Sequence, residues 1–97
     1  LANREIARYH YDKAFLGVVG LDLARGSATT YTPEDATTKE TILQHSADSY
    51  LLLETRKVGK ESTCAYTDLR DVHAVITEKE LDAAAKAQLK ARGIAAL

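Results

Sequence analysis

An aspartate and a lysine, each placed after an apolar segment, are the strongest candidates for chemistry in this sequence. Asp22 follows the apolar residues 14–19, and Lys57 follows the apolar residues 50–53. In open α/β sheets, ligands bind beyond the carboxyl ends of the strands. If the two segments are parallel neighbours, Asp22 and Lys57 lie on one rim, where a carboxylate suits hydroxyl groups and an ammonium suits phosphate. The pair therefore predicts a site for a small phosphorylated polyol.

Two glycines near Asp22 add to this interpretation. Gly17 and Gly20 have no Cβ, so the backbone there can approach a ligand closely and expose its N–H groups. A plainer interpretation stays open, in which the glycines end a strand, Asp22 caps a turn and Lys57 is one solvated lysine among several.

The sequence gives no sign of metal, cofactor or nucleophile chemistry. His10, His45 and His73 fall in different predicted elements without the spacing of metal ligands. The single Cys64 excludes an internal disulfide and a cysteine-based zinc site. The sequence has no nucleophile elbow, P-loop or dinucleotide-binding fingerprint. We therefore expect no metal and no cofactor.

Length and charge restrict the class of protein. The 97 residues make one domain or part of one, with a net charge of −1 from 13 basic and 14 acidic residues. This balance lacks the basic footprint that DNA binding requires, so we do not expect this segment to contact DNA. No signal peptide or long apolar run is visible, which favours a cytoplasmic protein without a membrane partner. The chain begins at Leu1 and has no Met, which we interpret as a piece of a longer protein.

Hydrophobic patterning predicts alternating helices and strands. In chain order these are a helix end at 2–9, a strand at 14–19, a polar loop at 20–32, a helix from 33 to about 46, strands at 50–53, 63–67 and 72–76, a helix at about 78–92 and a strand from 94. Residues 14–19 are apolar throughout, which is typical of a central strand covered on both faces. The alternation implies an α/β fold of three layers, a mostly parallel sheet with helices on both faces.

Capping residues mark the ends of the two longer helices. Thr32 is the predicted N-cap of the first, and Pro33 suits its first position. Thr77 and Glu80 have the spacing of a capping box at the start of the second, and Gly93 suits its left-handed C-terminal cap.

Three stretches resemble, in order, the C-terminal sensor domain of DeoR-type bacterial transcriptional repressors. They are DKAFLGVVGLDLARG (12–26), TPEDATTKETILQHSADSYLLLETRKVG (32–59) and LRDVHAVITEKELDAAAKAQLKARGI (69–94). That family has an Asp-x-Ala-Phe-Leu-Gly strand, a helix with Glu-Ala-x-x-Lys, a strand ending in Asp-Ser-Ser-Lys-Phe-Gly and an Ile-Thr-Asp strand. The resemblance covers almost the whole chain.

The resemblance implies a Rossmann-like fold similar to ribose-5-phosphate isomerase and glucosamine-6-phosphate deaminase. It implies that residues 1–97 are the C-terminal portion of one sugar-phosphate-sensing domain, whose first part is missing together with an N-terminal winged helix-turn-helix. Such repressors sense a phosphorylated sugar or related metabolite and form homo-oligomers. They contact DNA only through the helix-turn-helix, which is outside this sequence.

Site residues carry over by the same resemblance. Lys57 falls on the lysine of Ser-Ser-Lys, which looks like the phosphate-contacting lysine of the deaminases. Asp22, after Gly20, falls where those enzymes hold a catalytic aspartate in a Gly-x-Asp-Gly-His loop. Leu23 and Ala24 replace the Gly and His of that loop. The loss of the histidine favours binding alone, so we predict no catalytic residue and no enzyme.

The sequence also departs from the family pattern. Residues 54–56 read Glu-Thr-Arg in place of Asp-Ser-Ser, Val58 replaces Phe, and Glu78 replaces the Asp after Ile-Thr. Asp35 and Lys39 match the ends of the Glu-Ala-x-x-Lys pattern. These departures leave the identity of the effector open.

The resulting hypothesis is an effector-binding and oligomerisation domain of a DeoR-like regulator, with Lys57, Asp22, Gly20 and Gly17 as the effector-binding residues. Two alternatives stay open: a fragment of a sugar-phosphate isomerase or deaminase, and a dimerisation module that senses nothing. The sequence does not decide between a dimer and a tetramer.

Overall fold

A computed structural model describes residues 2–60, 62–67 and 69–97. Three α-helices are present in these ranges: α1 (Ala2–Ile6), α2 (Pro33–Gln44) and α3 (Ala83–Ala91). The strands are β1 (Tyr11–Gly17), β2 (Gly20–Asp22), β3 (Ser27–Thr30), β4 (Ser46–Leu53), β5 (Cys64–Thr67), β6 (Ala74–Thr77) and β7 (Ala95–Ala96). A short 3-10 turn, Thr55–Lys57, follows β4. None of the helices in the described ranges has the length and apolar character needed to cross a membrane.

Helix α2 begins where its capping residues predict. The Thr32 side chain accepts a hydrogen bond of 3.1 Å from the backbone N–H of Asp35, and Pro33 is the first helical residue. The helix ends at Gln44, two residues before the predicted end, because β4 already begins at Ser46.

Helix α3 begins later than predicted. Asp82, not Thr77, is its N-cap, and the Asp82 side chain accepts a hydrogen bond of 2.8 Å from the N–H of Ala85. The predicted capping box is therefore wrong, and the Thr77 hydroxyl instead donates to the carbonyl of Lys79 at 2.6 Å. The C-terminal prediction is confirmed, since Gly93 has a φ of 75° and follows the last turn of the helix.

Four strands form a parallel sheet in the order β1-β4-β6-β7. Helix α2 lies between β1 and β4, and helix α3 lies between β6 and β7, so the parallel sheet and its helices confirm the predicted α/β class. Leu16 of β1 lies opposite Leu51 of β4, and Leu51 lies opposite Val75 of β6. All three are buried. Because side chains alternate along a strand, this row marks the face of the sheet that forms the core.

The opposite face of the sheet is not covered in the way the sequence predicts. Phe15 lies opposite Tyr50, and the two rings stack with centroids 5.0 Å apart. Phe15 is 56% exposed and Leu52 is 40% exposed. The prediction of a central strand covered on both faces is not confirmed, since β1 is an end strand of the described sheet and its burial alternates. The predicted three-layer arrangement with helices on both faces is not confirmed.

A second, antiparallel sheet replaces much of the predicted polar loop at 20–32. Its order is β2-β3-β5, so the loop prediction is wrong for residues 20–22 and 27–30. Thr29 and Thr30 of β3 are buried. Their polar atoms are satisfied inside the fold; the Thr29 hydroxyl, for example, donates to the carbonyl of Gly20 at 3.2 Å. One hydrophobic cluster joins the two sheets and helices α2 and α3.

Candidate functional site

The carboxyl ends of β1, β4 and β6 border an open, shallow depression of about 480 Å³, here called the rim cavity. Its described lining residues are Gly17, Val18, Leu52, Leu53, Glu54, Ile76, Thr77 and Glu78. The position is the one at which open α/β sheets bind ligands. The predicted rim depends on parallel pairing of β1 with β4, and the structure contains this pairing.

The fold brings the segments of Asp22 and Lys57 side by side. Leu21 of β2 forms a parallel bridge with Val58, and the N–H of Gly59 donates to the carbonyl of Leu21 at 2.7 Å. Asp22 and Lys57 are the chain neighbours of the two bridged residues, so their backbones lie close to each other. The described lining of the rim cavity itself includes neither of them.

The carboxylate of Asp22 is engaged by its own turn. It accepts a hydrogen bond of 3.1 Å from the N–H of Arg25, and the Arg25 guanidinium lies 3.9 Å from its second oxygen. The N–H of Gly26 also donates to the Asp22 carbonyl at 2.9 Å. The Asp22 side chain is only 16% exposed. This geometry is that of a turn cap, and the binding of hydroxyl groups by Asp22 stays a prediction.

The two predicted glycines differ in their surroundings. A Cβ on Gly17 would meet no atom within 4 Å, so the missing side chain keeps space open in the rim cavity. Gly20 is buried and pairs with Thr29 in the second sheet. Gly17 therefore lines the cavity, whereas Gly20 supports the strand that carries Asp22.

A polar network around the end of β1 was not predicted as a unit. Lys39 of α2 donates to the carbonyl of Gly17 at 2.7 Å, and the Tyr66 hydroxyl donates to the same carbonyl at 3.4 Å. Asp35 lies 3.0 Å from the Lys39 ammonium and accepts a hydrogen bond of 2.5 Å from the Thr30 hydroxyl. The spacing of Asp35 and Lys39, one helical turn apart, was the only sequence signal for it.

Two residues of this network, Asp35 and Tyr66, have shifted pKa values. The hydrogen bond from Thr30, followed by that from Lys39, holds the pKa of Asp35 below its ordinary value. Burial, with a further contribution from the charge of Asp35, raises the pKa of Tyr66. At neutral pH the network therefore joins an ionised carboxylate to a lysine ammonium and a neutral phenol.

Two carboxylates stand at the mouth of the rim cavity. Glu54 accepts a hydrogen bond of 2.8 Å from the Arg56 guanidinium, which lowers the pKa of Glu54. Glu78 accepts hydrogen bonds from the Thr55 hydroxyl at 2.6 Å and the Thr55 N–H at 2.7 Å, and these lower the pKa of Glu78. The charge of Lys57 also contributes to the lowered pKa of Glu54. The mouth is thus a set of ionised groups of both signs.

The described lining of the rim cavity includes no histidine and no cysteine. His73 accepts a hydrogen bond of 3.2 Å from the N–H of Ser49, and its other ring nitrogen lies 3.3 Å from Asp48. The described part of the chain contains no cluster of His, Cys, Asp and Glu side chains arranged to hold a metal ion.

The chain is similar in sequence to known transcriptional regulators. The family model of the DeoR C-terminal sensor domain matches residues 1–79. The chain is 31% identical over 78 residues to a lactose phosphotransferase system repressor of Staphylococcus epidermidis, covering 80% of this chain and 30% of that protein. It is 29% identical over 87 residues to the HTH-type transcriptional regulator GlpR of Haloferax volcanii, covering 90% of this chain and 34% of that protein. The chain therefore spans about a third of the length of these curated relatives.

Proposed function

We propose, since this chain belongs to the family of DeoR C-terminal sensor domains, that it forms part of the effector site of a transcriptional repressor. The effector is a phosphorylated sugar or a related phosphorylated metabolite. Binding changes the affinity of the whole protein for its operator, which is contacted by a separate helix-turn-helix domain. The names of the relatives, a repressor and a helix-turn-helix regulator, support this role.

One observation carries the proposal. The turn that bears Lys57 runs beside the strand that bears Asp22, at the carboxyl ends of parallel strands. In this proposal the Lys57 ammonium and the Asp22 carboxylate act beside the rim cavity, whose position at the carboxyl ends of parallel strands is typical of ligand sites.

Each predicted site residue has a role in this proposal. Lys57 binds the phosphate group, for which a flexible ammonium is well suited. Asp22 accepts hydrogen bonds from hydroxyl groups of the ligand. A carboxylate has about four acceptor positions, so lone pairs that Arg25 does not use are left for this role. Gly17 leaves room for the ligand against β1. Gly20 holds β2 in register with β3 and so fixes Asp22.

The signal to the operator follows from differential binding. A ligand shifts a two-state protein only to the extent that it binds one state more tightly than the other. We place the sensing state in a cytoplasmic homo-oligomer, in which the effector selects one arrangement of the subunits. Leu23 and Ala24, which stand where the related deaminases carry Gly and His, supply no acid or base, so the role is binding and not catalysis.

We also propose a complete three-layer, Rossmann-like domain in the whole protein, of which residues 1–97 are the C-terminal portion. The exposed Phe15 and Leu52 on the second face of the sheet support this, as does the greater length of the relatives. In this proposal, preceding segments of the longer protein cover this face and supply further contacts to the phosphate group.

A second candidate is an oligomerisation module that binds no effector. The observation in its favour is the carboxylate of Asp22, which already caps its own turn through Arg25. In this case Lys57 is a solvated surface lysine.

A thermal-shift screen separates the two candidates. The full-length protein is mixed with glycerol 3-phosphate, ribose 5-phosphate or glucose 6-phosphate, and with the matching unphosphorylated compounds as controls. A compound at about 100 times its dissociation constant stabilises the folded state by about 2.7 kcal/mol. The sensor predicts a shift with at least one phosphorylated compound and none with its control. If none of the three phosphorylated compounds raises the unfolding temperature, the oligomerisation module is favoured.

A further inference from the structure

The 3-10 turn that carries Lys57 has no cap of its own. Glu54 precedes the turn, but its side chain makes no capping hydrogen bond, and Glu54 pairs instead with Arg56. The N–H of Thr55, the first residue of the turn, donates to a carboxylate oxygen of Glu78 at 2.7 Å. The Thr55 hydroxyl donates to the same oxygen at 2.6 Å. A residue 23 positions away thus takes the place of the missing cap.

We propose that Glu78 is a positioning residue for Lys57, an inference that rests on the proposed effector site. Glu78 directly follows β6, and β6 is the neighbour of β4, so the bond joins the ends of two adjacent strands. Hydrogen bonds to an ionised acceptor are shorter and stronger than those between neutral groups. The two bonds from Thr55 therefore fix the first residue of a turn whose third residue is Lys57.

The other side of the turn is held as well. Val58 bridges to Leu21, and the N–H of Gly59 donates to the Leu21 carbonyl at 2.7 Å. Lys57 lies between these contacts and the contact from Glu78 to Thr55. Removing the Glu78 carboxylate frees one side of the turn while the Leu21 side stays in place. The expected result is a Lys57 whose backbone samples more positions, with no change in its charge.

The test uses four single variants, one double variant and inorganic phosphate as the probe. Glu78→Ala removes both contacts to Thr55, and Glu78→Gln keeps a side-chain oxygen that accepts them. Glu80→Ala is the matched control, because it removes the same charge two residues away and its partner is Lys86. Lys57→Ala removes the proposed phosphate ligand. Phosphate affinity is measured by NMR titration, and protection of the Thr55 amide by hydrogen exchange.

We expect Glu78→Ala to weaken phosphate binding about fivefold and to lower the protection of the Thr55 amide. Glu78→Gln should keep most of the phosphate affinity and most of the Thr55 amide protection. Glu80→Ala should change neither quantity. In the double variant Lys57→Ala/Glu78→Ala, binding should be no weaker than in Lys57→Ala alone, because Glu78 acts through Lys57.

Different failures have different meanings. If Lys57→Ala weakens binding but Glu78→Ala behaves like Glu80→Ala, the positioning role is wrong and the proposed effector site stands. If the double variant is weaker than Lys57→Ala by the full Glu78→Ala effect, Glu78 acts independently and the inference is overturned. If Lys57→Ala leaves phosphate binding unchanged, the role of Lys57 in the proposed function is wrong, and the inference falls with it.

Discussion

Lys39 of α2 donates a hydrogen bond of 2.7 Å to the carbonyl of Gly17, the last residue of β1. The Lys39 side chain is only 17% exposed, and its ammonium also lies 3.0 Å from Asp35. The contact ties the helix to the strand whose end opens into the rim cavity. It links the stability of the fold to the shape of the candidate site.

Lys39→Ala should therefore lower the free energy of unfolding by about 1.5–3 kcal/mol, the range for a hydrogen bond with a charged donor. The Gly17 carbonyl keeps the Tyr66 hydroxyl, which limits the loss. Urea denaturation measures the difference. Lys90→Ala, in the exposed last turn of α3, is the control and should cost only a few tenths of a kcal/mol. Equal costs for the two variants would contradict the role of Lys39.

Acid should weaken the fold partly through Asp35. The pKa of Asp35 in the folded protein lies below the ordinary 3.8, because Thr30 and Lys39 stabilise the ionised form. A depressed pKa contributes stability that is fully present above the ordinary pKa and is lost as pH falls through the folded-state pKa. Asp35→Asn should be less stable than the native protein at pH 7, and the difference should shrink below about pH 4. Urea midpoints between pH 7 and pH 3 measure it; a difference that stays constant would show that Asp35 does not titrate in this way.

The two faces of the parallel sheet should differ in their tolerance of truncation. Leu51→Ala should cost about 2–5 kcal/mol, because Leu51 is fully buried in the core. Phe15→Ala should cost far less in this chain, since Phe15 is 56% exposed and packs mainly on Tyr50. Denaturant unfolding compares them. A cost for Phe15→Ala as large as that for Leu51→Ala would mean that its face is covered in solution.

Alanine substitutions at Gly26 and Gly93 distinguish the cost of backbone strain from the cost of a steric conflict. Both have positive φ, 72° and 75°, so an alanine is strained at either position. A Cβ on Gly26 would also collide with the Arg92 guanidinium, whereas one on Gly93 would meet no atom within 4 Å. Gly93→Ala should cost about 1 kcal/mol and Gly26→Ala more. The extra cost includes the bonds from Arg92 to the carbonyls of Leu23 and Ala24.

The added variant Arg92→Ala tests this explanation by thermal or urea unfolding. In the Arg92→Ala background, Gly26→Ala should cost about as much as Gly93→Ala, because only the backbone strain is left. If Gly26→Ala still costs more stability than Gly93→Ala in that background, the steric conflict at Gly26 does not involve Arg92.

Lys57→Ala should weaken binding of the effector about 10–100-fold, the equivalent of a charge-assisted bond of about 1.5–3 kcal/mol. Isothermal titration with the sugar phosphate that gives the largest thermal shift measures the loss. Lys60→Ala, an exposed lysine three residues away, is the matched control and should have a small effect. If both variants bind as the native protein does, Lys57 is not a phosphate ligand.

The sequence by itself determined the features that depend on neighbouring residues. Thr32 and Pro33 placed the start of α2, because a cap and a fixed φ act within one turn. The alternation of strands and helices implied the parallel pairing of β1 with β4, and with it a rim at their carboxyl ends. The family motifs identified the class of protein, which the match over residues 1–79 confirms.

Only the tertiary structure decided what depends on distant partners. Residues 27–30 read as polar loop, yet they form a buried strand because Ala28 and its threonines find partners in β2 and β5. Phe15 reads as core, yet its face of the sheet is exposed in this chain. Glu78 contacts Thr55 across 23 residues, and Lys39 contacts Gly17 across 22. No local pattern encodes such contacts, since each depends on how strands and helices pack once the whole chain has folded.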